Sequence, residues 1–600
     1  MHPDLILESL TDEQKAIVTS TSHYIRVIAG PGTGKTETLT RRILYLLSHH
    51  RIHPSSIVAF TFTEKAAQSL KSRLYTLALK FNFDPDIVNH LPELFAGTIH
   101  SFCFQLLQTH FNYGNYSALD ENQEFAFVSR FYNEINLEKL FKEKYPSESL
   151  YKFQVIGNFI RTVNLVFDNL IPLNLIEKED PLFYYSLSTY LKLLEEHRLI
   201  TFSLMIYQAV NKILSNPDSI SNIEYLFVDE YQDINPSQEK LIEIIAKRAS
   251  LFIVGDPRQT IYQWRGSDEQ CFHRFPEKFP DSTSYDLTIN RRSTPKIINI
   301  ANLFSSSSSH LKGYALIQPS PDHISDEGLT LKVIFDDPTE EATWIANTIQ
   351  TYVNEFNGNY KDCAVLFRSV YLSASYLIDE FRSRKIPYIV AGKVGLFKRP
   401  EAKALALIFC WLSNTGFFND ETRRIRNNDL LENALELWNN YVITLHDKVI
   451  DKLELIKRKA NESLFNDLTD LFNEVLSALN YKELDYNNPS HFVIKANIGR
   501  FGSILSDFEF PLRLAGNRVH FPSMLDYLCY FINYYATSSY EEPQPESFSQ
   551  PNAVNILTIH QAKGLEWPIV FIPSLQEGIF PTSHIGTVSY THLRAHETGR

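Results

Sequence analysis

Four short apolar runs rich in β-branched residues stand out along the first half of the chain. They lie at 24–29, 57–62, 225–228 and 251–254. Strands covered on both faces are apolar at every position, so these runs predict the buried strands of a parallel sheet. The first two lead directly into amphipathic helical patterns, over 35–47 and 63–79. This alternation of strand and helix is typical of a doubly wound α/β sheet.

Long helical patterns replace this alternation between residues 101 and 223, and again between about 404 and 535. A second strand–helix pattern begins near Asp286, with strands predicted at 331–335, 363–367, 554–559 and 569–572. The predicted fold class is therefore α/β, with two parallel-sheet cores that each carry an inserted, mainly helical domain. The predicted boundaries are 1–97 plus 216–289 for the first core, 98–215 for its insertion, 290–403 plus 549–584 for the second core, and 404–548 for the second insertion.

Composition limits the class of protein. The 600 residues are 44% hydrophobic and 21% charged, which is typical of globular chains and too apolar for disorder. The longest apolar run, residues 404–412, is far shorter than the ~20 residues that cross a bilayer. The five cysteines form no CxxC pair, which argues against a zinc site or a disulfide framework. We expect a soluble, cytoplasmic protein without membrane contact, whose net charge of −13 confines any nucleic-acid contact to a local groove.

A glycine-rich loop follows the first predicted strand. Residues 29–36 read AGPGTGKT and open the first predicted helix. The glycines allow backbone N–H groups to curl around phosphate oxygens, and the helix N-terminus adds a favourable dipole. Lys35 is placed to reach the β- and γ-phosphates, and the Thr36 hydroxyl to bind Mg²⁺. The strict GxxxxGK[ST] pattern is missed only at Ala29, so the loop predicts a nucleoside triphosphate site.

An acidic pair ends the predicted strand at 225–228. Residues 226–233 read LFVDEYQD, and adjacent carboxylates after an apolar strand are costly unless a cation or dipole balances them. We expect Asp229 to hold Mg²⁺ through water and Glu230 to orient and polarise the attacking water. The long separation from Lys35 agrees with a helical insertion between the two motifs.

Together with these two, further motifs resemble, in order from Leu10 to about Pro581, those of the UvrD/Rep group of superfamily 1 DNA helicases. The further motifs are TDEQ at 11–14, AFTFTEKAA at 59–67, GTIHS at 97–101, VGDPRQTIYQWRG at 254–266, NRRST at 290–294, FKRPEAK at 397–403 and TIHQAKGLE at 558–566.

The resemblance implies two RecA-like cores with ATP and Mg²⁺ in the cleft between them, and single-stranded DNA and duplex junctions as partners. It implies that ATP hydrolysis drives 3′→5′ movement along single-stranded DNA and duplex unwinding, in repair, replication or recombination. The catalytic residues it implies are Lys35, Asp229, Glu230, Gln259 and Arg292. The residues implied to hold ATP are Gln14, Ala29, Gly30, Pro31, Gly32, Thr33, Gly34, Lys35, Thr36, Glu37, Arg291 and Glu566, and those implied to contact DNA are Phe62, His100, Tyr262, Trp264 and His560.

Besides Ala29, the chain departs from the family pattern at four places, one of which is the segment ITFSLM at 200–205, where the family has a pattern rich in Asp. Arg291 replaces a tyrosine that stacks on adenine, and Glu37 replaces a common arginine. The family's last motif is absent, so we expect a longer natural protein and a non-native tail at 585–600. Two alternatives stay open: the helicase subunit of a RecB/AddA-type helicase–nuclease with accessory subunits, or a truncated ATP- and single-stranded-DNA-binding protein without turnover.

Overall fold

The structure is a computed structural model. It describes residues 4–144, 151–261, 270–307, 313–325, 328–390, 396–418, 424–425, 427–485, 488–514, 520–537 and 552–581. The chain divides into two compact units, the first formed by Met1–Asp120 and Asn158–Lys332 and the second by Glu121–Gly157 and Val333–Arg600.

The described strands form a six-stranded sheet, a four-stranded sheet and three two-stranded pairs. They are β1 Tyr24–Ala29, β2 Ile57–Phe60, β3 Phe95–Gly97, β4 Ser117–Leu119, β5 Leu199–Thr201, β6 Tyr225–Val228, β7 Ser250–Gly255, β8 Thr283–Leu287, β9 Ile289–Asn290, β10 Gln318–Pro319, β11 Cys363–Phe367, β12 Tyr388–Val390, β13 Phe417–Phe418, β14 Arg424–Ile425, β15 Val554–Thr558 and β16 Ile569–Phe571.

The described α-helices cover the sheets and build the helical regions. They are α1 Asp4–Leu7, α2 Asp12–Thr19, α3 Lys35–His49, α4 Glu64–Lys80, α5 Pro85–His90, α6 Ile99–His110, α7 Glu121–Arg130, α8 Leu137–Lys144, α9 Lys152–Asp168, α10 Leu173–Glu179, α11 Pro181–Glu196, α12 Phe202–Ser215, α13 Pro236–Ala246, α14 Gln270–Lys278, α15 Pro295–Ser307, α16 Pro338–Glu355, α17 Val370–Ser373, α18 Ser375–Ser383, α19 Pro400–Leu412, α20 Asn427–Tyr441, α21 Val449–Asn461, α22 Leu468–Ala478, α23 Pro489–Leu514 and α24 Phe521–Phe531.

The first unit is built on a six-stranded parallel sheet in the order β3-β2-β6-β7-β1-β8. The strand β1 lies inside the sheet, with Val27 paired to Val254 on one side and Tyr285 on the other. The apolar side chains of these strands pack against α3 and α4 in one continuous core. The four strands predicted in this half of the chain are confirmed, because runs that are apolar on both faces can be covered only inside such a sheet.

The second unit contains a four-stranded parallel sheet in the order β12-β15-β11-β16. One face is covered by α16, α17 and α18, which share a core with the strands. The strands predicted at 363–367, 554–559 and 569–572 are confirmed to within one residue. Two parallel sheets flanked by helices confirm the predicted fold class.

One detail of the strand prediction is wrong. Residues 331–335 form no strand, and Leu331 and Ile334 are exposed. An apolar, β-branched run becomes a strand only where another strand accepts its backbone hydrogen bonds, which propensity alone does not reveal. Asp286, where the second pattern was expected to begin, lies in β8 and pairs with Ile28 at the edge of the first sheet.

The two compact units divide the chain differently from the four predicted segments. Residues 121–157 belong to the second unit and residues 290–332 to the first, so the predicted domain boundaries stay a prediction. The apolar run at 404–412 forms most of α19 and is buried. Within the described part of the chain, no helix combines the length and the apolar character needed to span a bilayer.

Candidate active site

The phosphate loop connects β1 to α3 at the carboxyl edge of the first sheet. Gly32 has φ +70° and Gly34 has φ +88°, which are left-handed conformations that a side chain would strain. A Cβ on Gly34 would also lie 2.5 Å from Gln14 Nε2. The Thr33 hydroxyl donates to the Gly30 carbonyl at 2.8 Å and closes the turn from inside. The loop is therefore shaped by its own backbone and by close neighbours.

Lys35, the first residue of α3, forms an ion pair with Glu230 beyond the end of β6. Its Nζ lies 3.1 Å from Oε1 and 3.2 Å from Oε2. Burial alone would lower the pKa of Lys35, but the negative charges of Glu230 and Asp229 outweigh it and the pKa is raised. The lysine is thus fully charged at neutral pH. The structure brings together the phosphate loop and the acidic pair, which lie far apart in the sequence.

The acidic pair has an unusual backbone. Glu230 has φ +50° although it is not glycine, and its N–H donates to Asp229 Oδ1 at 2.9 Å. Burial raises the pKa of the Asp229 carboxyl, the charge of Glu230 raises it further, and Lys35 opposes the rise. A left-handed non-glycine residue costs about 1–3 kcal/mol and persists only where its surroundings hold it. Here it places two carboxylates beside one lysine.

Behind Glu230, a buried polar chain leads to the strand end of β7. Gln232 is 0% exposed; its Nε2 donates to Glu230 Oε2 at 2.6 Å, and its Oε1 accepts the Asp256 N–H at 3.0 Å. Asp256, 1% exposed, accepts from Gln259 Nε2 at 2.8 Å and from Arg258 Nε at 2.8 Å. The predicted residues Glu230 and Gln259 are thereby linked through Gln232 and Asp256, to which the sequence analysis assigned no role. The sequence signal that could have found Gln232 and Asp256 is that both lie inside matched motifs.

Thr36 and Asp229 carry oxygen ligands of the kind Mg²⁺ prefers, a hydroxyl and a carboxylate. Thr36 is the second residue of α3 and Asp229 follows β6, so both lie at the carboxyl edge of the first sheet. Burial and the charge of Glu230 raise the pKa of the Asp229 carboxyl, so its ionised form is disfavoured here and a divalent cation would stabilise it. Across the described ranges, no three His, Cys, Asp or Glu residues cluster as an all-protein metal cage. The donor set therefore fits Mg²⁺ shared with phosphate oxygens.

Gln14 lies against the end of the phosphate loop. It is 2% exposed, and its Nε2 donates to the Thr33 carbonyl at 3.3 Å while its Oε1 accepts the Thr11 N–H at 3.1 Å. These bonds fix the amide at the base of the nucleotide loop. Its predicted reading of adenine stays a prediction.

Glu37, on the first turn of α3, is held by two arginines. Its carboxylate lies 2.7 Å from Arg41 Nε and 2.6 Å from Arg73 Nη2. Arg73 belongs to α4, so the pair ties the helix after the phosphate loop to the helix after β2. The negative charge of Glu37, which departs from the family pattern, is thus neutralised by two arginines of the same unit.

The segment at 290–292 lies directly against the phosphate loop. The Arg291 N–H donates to the Gly32 carbonyl at 2.9 Å, and a Cβ on Gly32 would come within 2.6 Å of Arg292 Cβ. A Cβ on Gly30 would lie 2.6 Å from Ile317 Cδ1. Arg292 therefore lies next to the phosphate loop and belongs to the first compact unit, while its predicted place in the second core stays a prediction.

The aromatic residues of the strand-contacting motifs lie beyond the ends of β2 and β3. Phe62 is 42% exposed. His100, near the start of α6, packs against Phe202 at 5.2 Å between ring centroids, and Phe202 is 40% exposed. Burial lowers the pKa of His100 to about 4, so its ring is neutral at pH 7. Phe202 was not predicted, because it comes from the helical insertion and lies outside the matched motifs.

Four further predicted residues cannot be joined to this site. Tyr262 and Trp264 lie outside the described residues. His560 follows β15, and Glu566 lies a few residues further on, both in the second unit. Their predicted roles in DNA and ATP binding stay predictions.

Comparison with known families and proteins agrees with this arrangement. Residues 10–280 match the UvrD/REP helicase N-terminal domain, and residues 285–594 match the UvrD-like helicase C-terminal domain. "ATP-dependent DNA helicase PcrA" of Staphylococcus aureus is 26% identical over 621 residues, covering 96% of this chain and 79% of the relative. The protein of the same name from Staphylococcus epidermidis is 25% identical over 620 residues, with the same coverage. Because the two domain matches together span nearly the whole chain, the chain belongs to the UvrD/Rep helicase family.

Proposed function

We propose that the chain hydrolyses ATP at the phosphate loop and uses the energy to move 3′→5′ along single-stranded DNA and unwind duplex DNA. Family membership supports the helicase activity. The roles of single residues are supported by the geometry of the first unit. The observation that carries the proposal is the ion pair between Lys35 and Glu230, because it brings a phosphate-binding cation and a candidate general base within one site.

The lysine and the glutamate divide the chemistry of hydrolysis. The phosphate oxygens of ATP compete with Glu230 for the charged Lys35, so nucleotide binding frees the carboxylate to orient and polarise the attacking water. Gln232 holds Glu230 Oε2 from behind and keeps the freed carboxylate in place. Arg292, next to the loop, supplies positive charge for the negative charge that develops on the γ-phosphate.

Mg²⁺ held by Thr36 and Asp229 would supply charge neutralisation of the phosphates. Lys35 and the Glu230 N–H already stabilise part of the negative charge on Asp229, which keeps its carboxylate available to Mg²⁺.

Phe62 and the contacting pair His100 and Phe202, together called the aromatic platform here, suit a partner that must be bound regardless of sequence. Base–aromatic stacking contributes ~1–3 kcal/mol per base and does not depend on which base is present. The neutral ring of His100 stacks without adding a charge. This platform would hold single-stranded DNA while the nucleotide site turns over.

The test is ATP hydrolysis by the full chain and by Lys35→Ala, each with and without a single-stranded oligodeoxythymidine. We expect hydrolysis that rises with DNA in the unsubstituted chain and is lost in the variant. Lys80→Ala, which removes an exposed lysine at the end of α4, is the control. ATP binding and DNA binding without DNA-stimulated hydrolysis would instead support a binding protein without turnover, and unchanged hydrolysis in Lys35→Ala would refute the assigned site.

A further inference from the structure

The side chain of Asn290 links the phosphate loop to the segment that carries Arg292. It is 2% exposed, at the end of β9. Its Nδ2 donates to the Pro31 carbonyl at 2.7 Å. Its Oδ1 accepts the N–H groups of Arg292 and Ser293, both at 2.8 Å. One buried amide therefore holds the tip of the loop with one end and the backbone of Arg292 with the other.

Backbone hydrogen bonds and close packing reinforce the contact between the phosphate loop and the segment that carries Arg292. The Arg291 N–H donates to the Gly32 carbonyl at 2.9 Å, and the Asn290 carbonyl accepts the Ser320 N–H at 2.8 Å. A Cβ on Gly32 would lie 2.9 Å from Asn290 Oδ1. The loop and the arginine segment are thus in direct contact, and glycine at 32 is needed for this approach as well as for its φ.

From these contacts we propose that Asn290 is a positioning residue, which clamps the backbone of Arg292 to the phosphate loop so that the guanidinium is held ready for the γ-phosphate. The proposal rests on the proposed function, since it assigns Asn290 to the hydrolysis carried out at that loop. Asn290 acts through Arg292 and Pro31 and does not itself touch the reacting atoms.

The chemistry of the side chain explains why an amide is required. The Pro31 carbonyl needs a donor, and the two N–H groups need an acceptor. Aspartate keeps the acceptor and loses the donor, so Asn290→Asp releases the loop but keeps the turn at Arg292. Alanine loses both. The two variants therefore separate the half of the clamp on the loop from the half on the arginine.

The kinetic test measures kcat and KM for ATP in the DNA-stimulated reaction of the full chain. Misplacement by about 1 Å at a reacting centre costs up to ~10²-fold, so we expect Asn290→Asp to lower kcat by ~10–100-fold. An interaction realised mainly in the transition state leaves KM nearly unchanged, within about threefold. The control is Asn302→Asp: Asn302 lies on α15, which follows Arg292, and bonds the Ile317 N–H and carbonyl at 3.1 and 2.8 Å instead of the loop. We expect it to keep kcat within about twofold.

The structural test is amide hydrogen exchange at Arg292 and Ser293. These two amides should exchange ~10-fold faster in Asn290→Ala and remain protected in Asn290→Asp. Unchanged exchange in Asn290→Ala overturns the clamp whether or not the chain hydrolyses ATP. Equal losses of kcat in Asn290→Asp and Asn302→Asp overturn it too, because they indicate a general loosening of the segment. If the unsubstituted chain does not hydrolyse ATP, the proposed function is refuted. The hydrogen exchange of Arg292 and Ser293 in Asn290→Ala still tests the clamp in that case.

Discussion

The end of β6 and the aromatic platform are built on opposite principles, although both belong to the first unit. At the end of β6, Gln232 and Asp256 are almost fully buried and link Glu230 to Gln259 by hydrogen bonds of 2.6–3.0 Å. At the platform, Phe62 and Phe202 expose about two fifths of their surface.

The difference follows from what each region must recognise. Charge that develops on a phosphate is stabilised best by fixed dipoles in a site that excludes water, so each bond of the polar chain affects the rate. A moving strand must be bound and released at every base, so a tolerant ring surface serves it better than specific hydrogen bonds. Substitutions should therefore affect the rate at one region and affinity or stability at the other.

The largest effect is expected for Glu230→Gln, which keeps the shape of the side chain and removes the base. General base catalysis contributes ~10²–10⁴-fold, so kcat for ATP hydrolysis should fall by that factor. ATP affinity, measured by equilibrium binding, should be kept or increased, because Lys35 loses its competing carboxylate. The matched control is Glu224→Gln, at the opposite end of β6, where the side chain is exposed. A full rate in Glu230→Gln would assign the base elsewhere.

Gln232→Leu should reduce the rate less, by ~10–100-fold, because it leaves Glu230 present but unsupported. It also deprives the buried Asp256 N–H of its acceptor, which costs about 1–3 kcal/mol of stability. Gln238→Leu provides the comparison, since Gln238 caps α13 through the Asn235 N–H without contacting Glu230. Steady-state kinetics and urea unfolding of both variants should show loss of rate in Gln232→Leu alone. Equal rates in the two variants would remove Gln232 from the catalytic network.

Much of both regions could be predicted from local patterns. The strand β1 and the phosphate loop are visible because buried parallel strands are apolar throughout and glycines tolerate positive φ. Residues 331–335 have the same composition as a strand yet form none, since strand pairing is not encoded locally. The bond from Asn290 to Pro31 and the contact of Phe202 with His100 join distant parts of the chain. Contacts of this kind depend on tertiary packing, which one sequence does not display.

On the platform, Phe202→Ala should weaken binding of single-stranded DNA by about fivefold, the lower end of what one stacked base contributes, because the ring is only partly exposed. Phe202→Tyr should keep the affinity, since it keeps the ring face. Tyr185→Ala removes an exposed aromatic residue from α11 and should have no effect on DNA binding. Fluorescence anisotropy with a labelled oligodeoxythymidine measures all three. Equal weakening by Phe202→Ala and Tyr185→Ala would show a nonspecific surface instead of a platform.

The smallest effect is expected from the protonation of His100. Its pKa is about 4 in the folded chain, below the ordinary 6.5, because burial disfavours the charged ring. Between these pH values the unfolded chain binds more protons than the folded one. The contribution of His100 to stability is therefore fully present above about pH 6.5 and decreases as the pH falls towards 4. At pH 5.5 the loss should be ~1 kcal/mol relative to pH 7. Urea unfolding at both pH values should show this loss reduced in His100→Asn, while the contributions of the carboxylates cancel in the comparison. If the natural chain and the variant lose the same stability, the ring is solvated, and the platform is more open than its packing against Phe202 indicates.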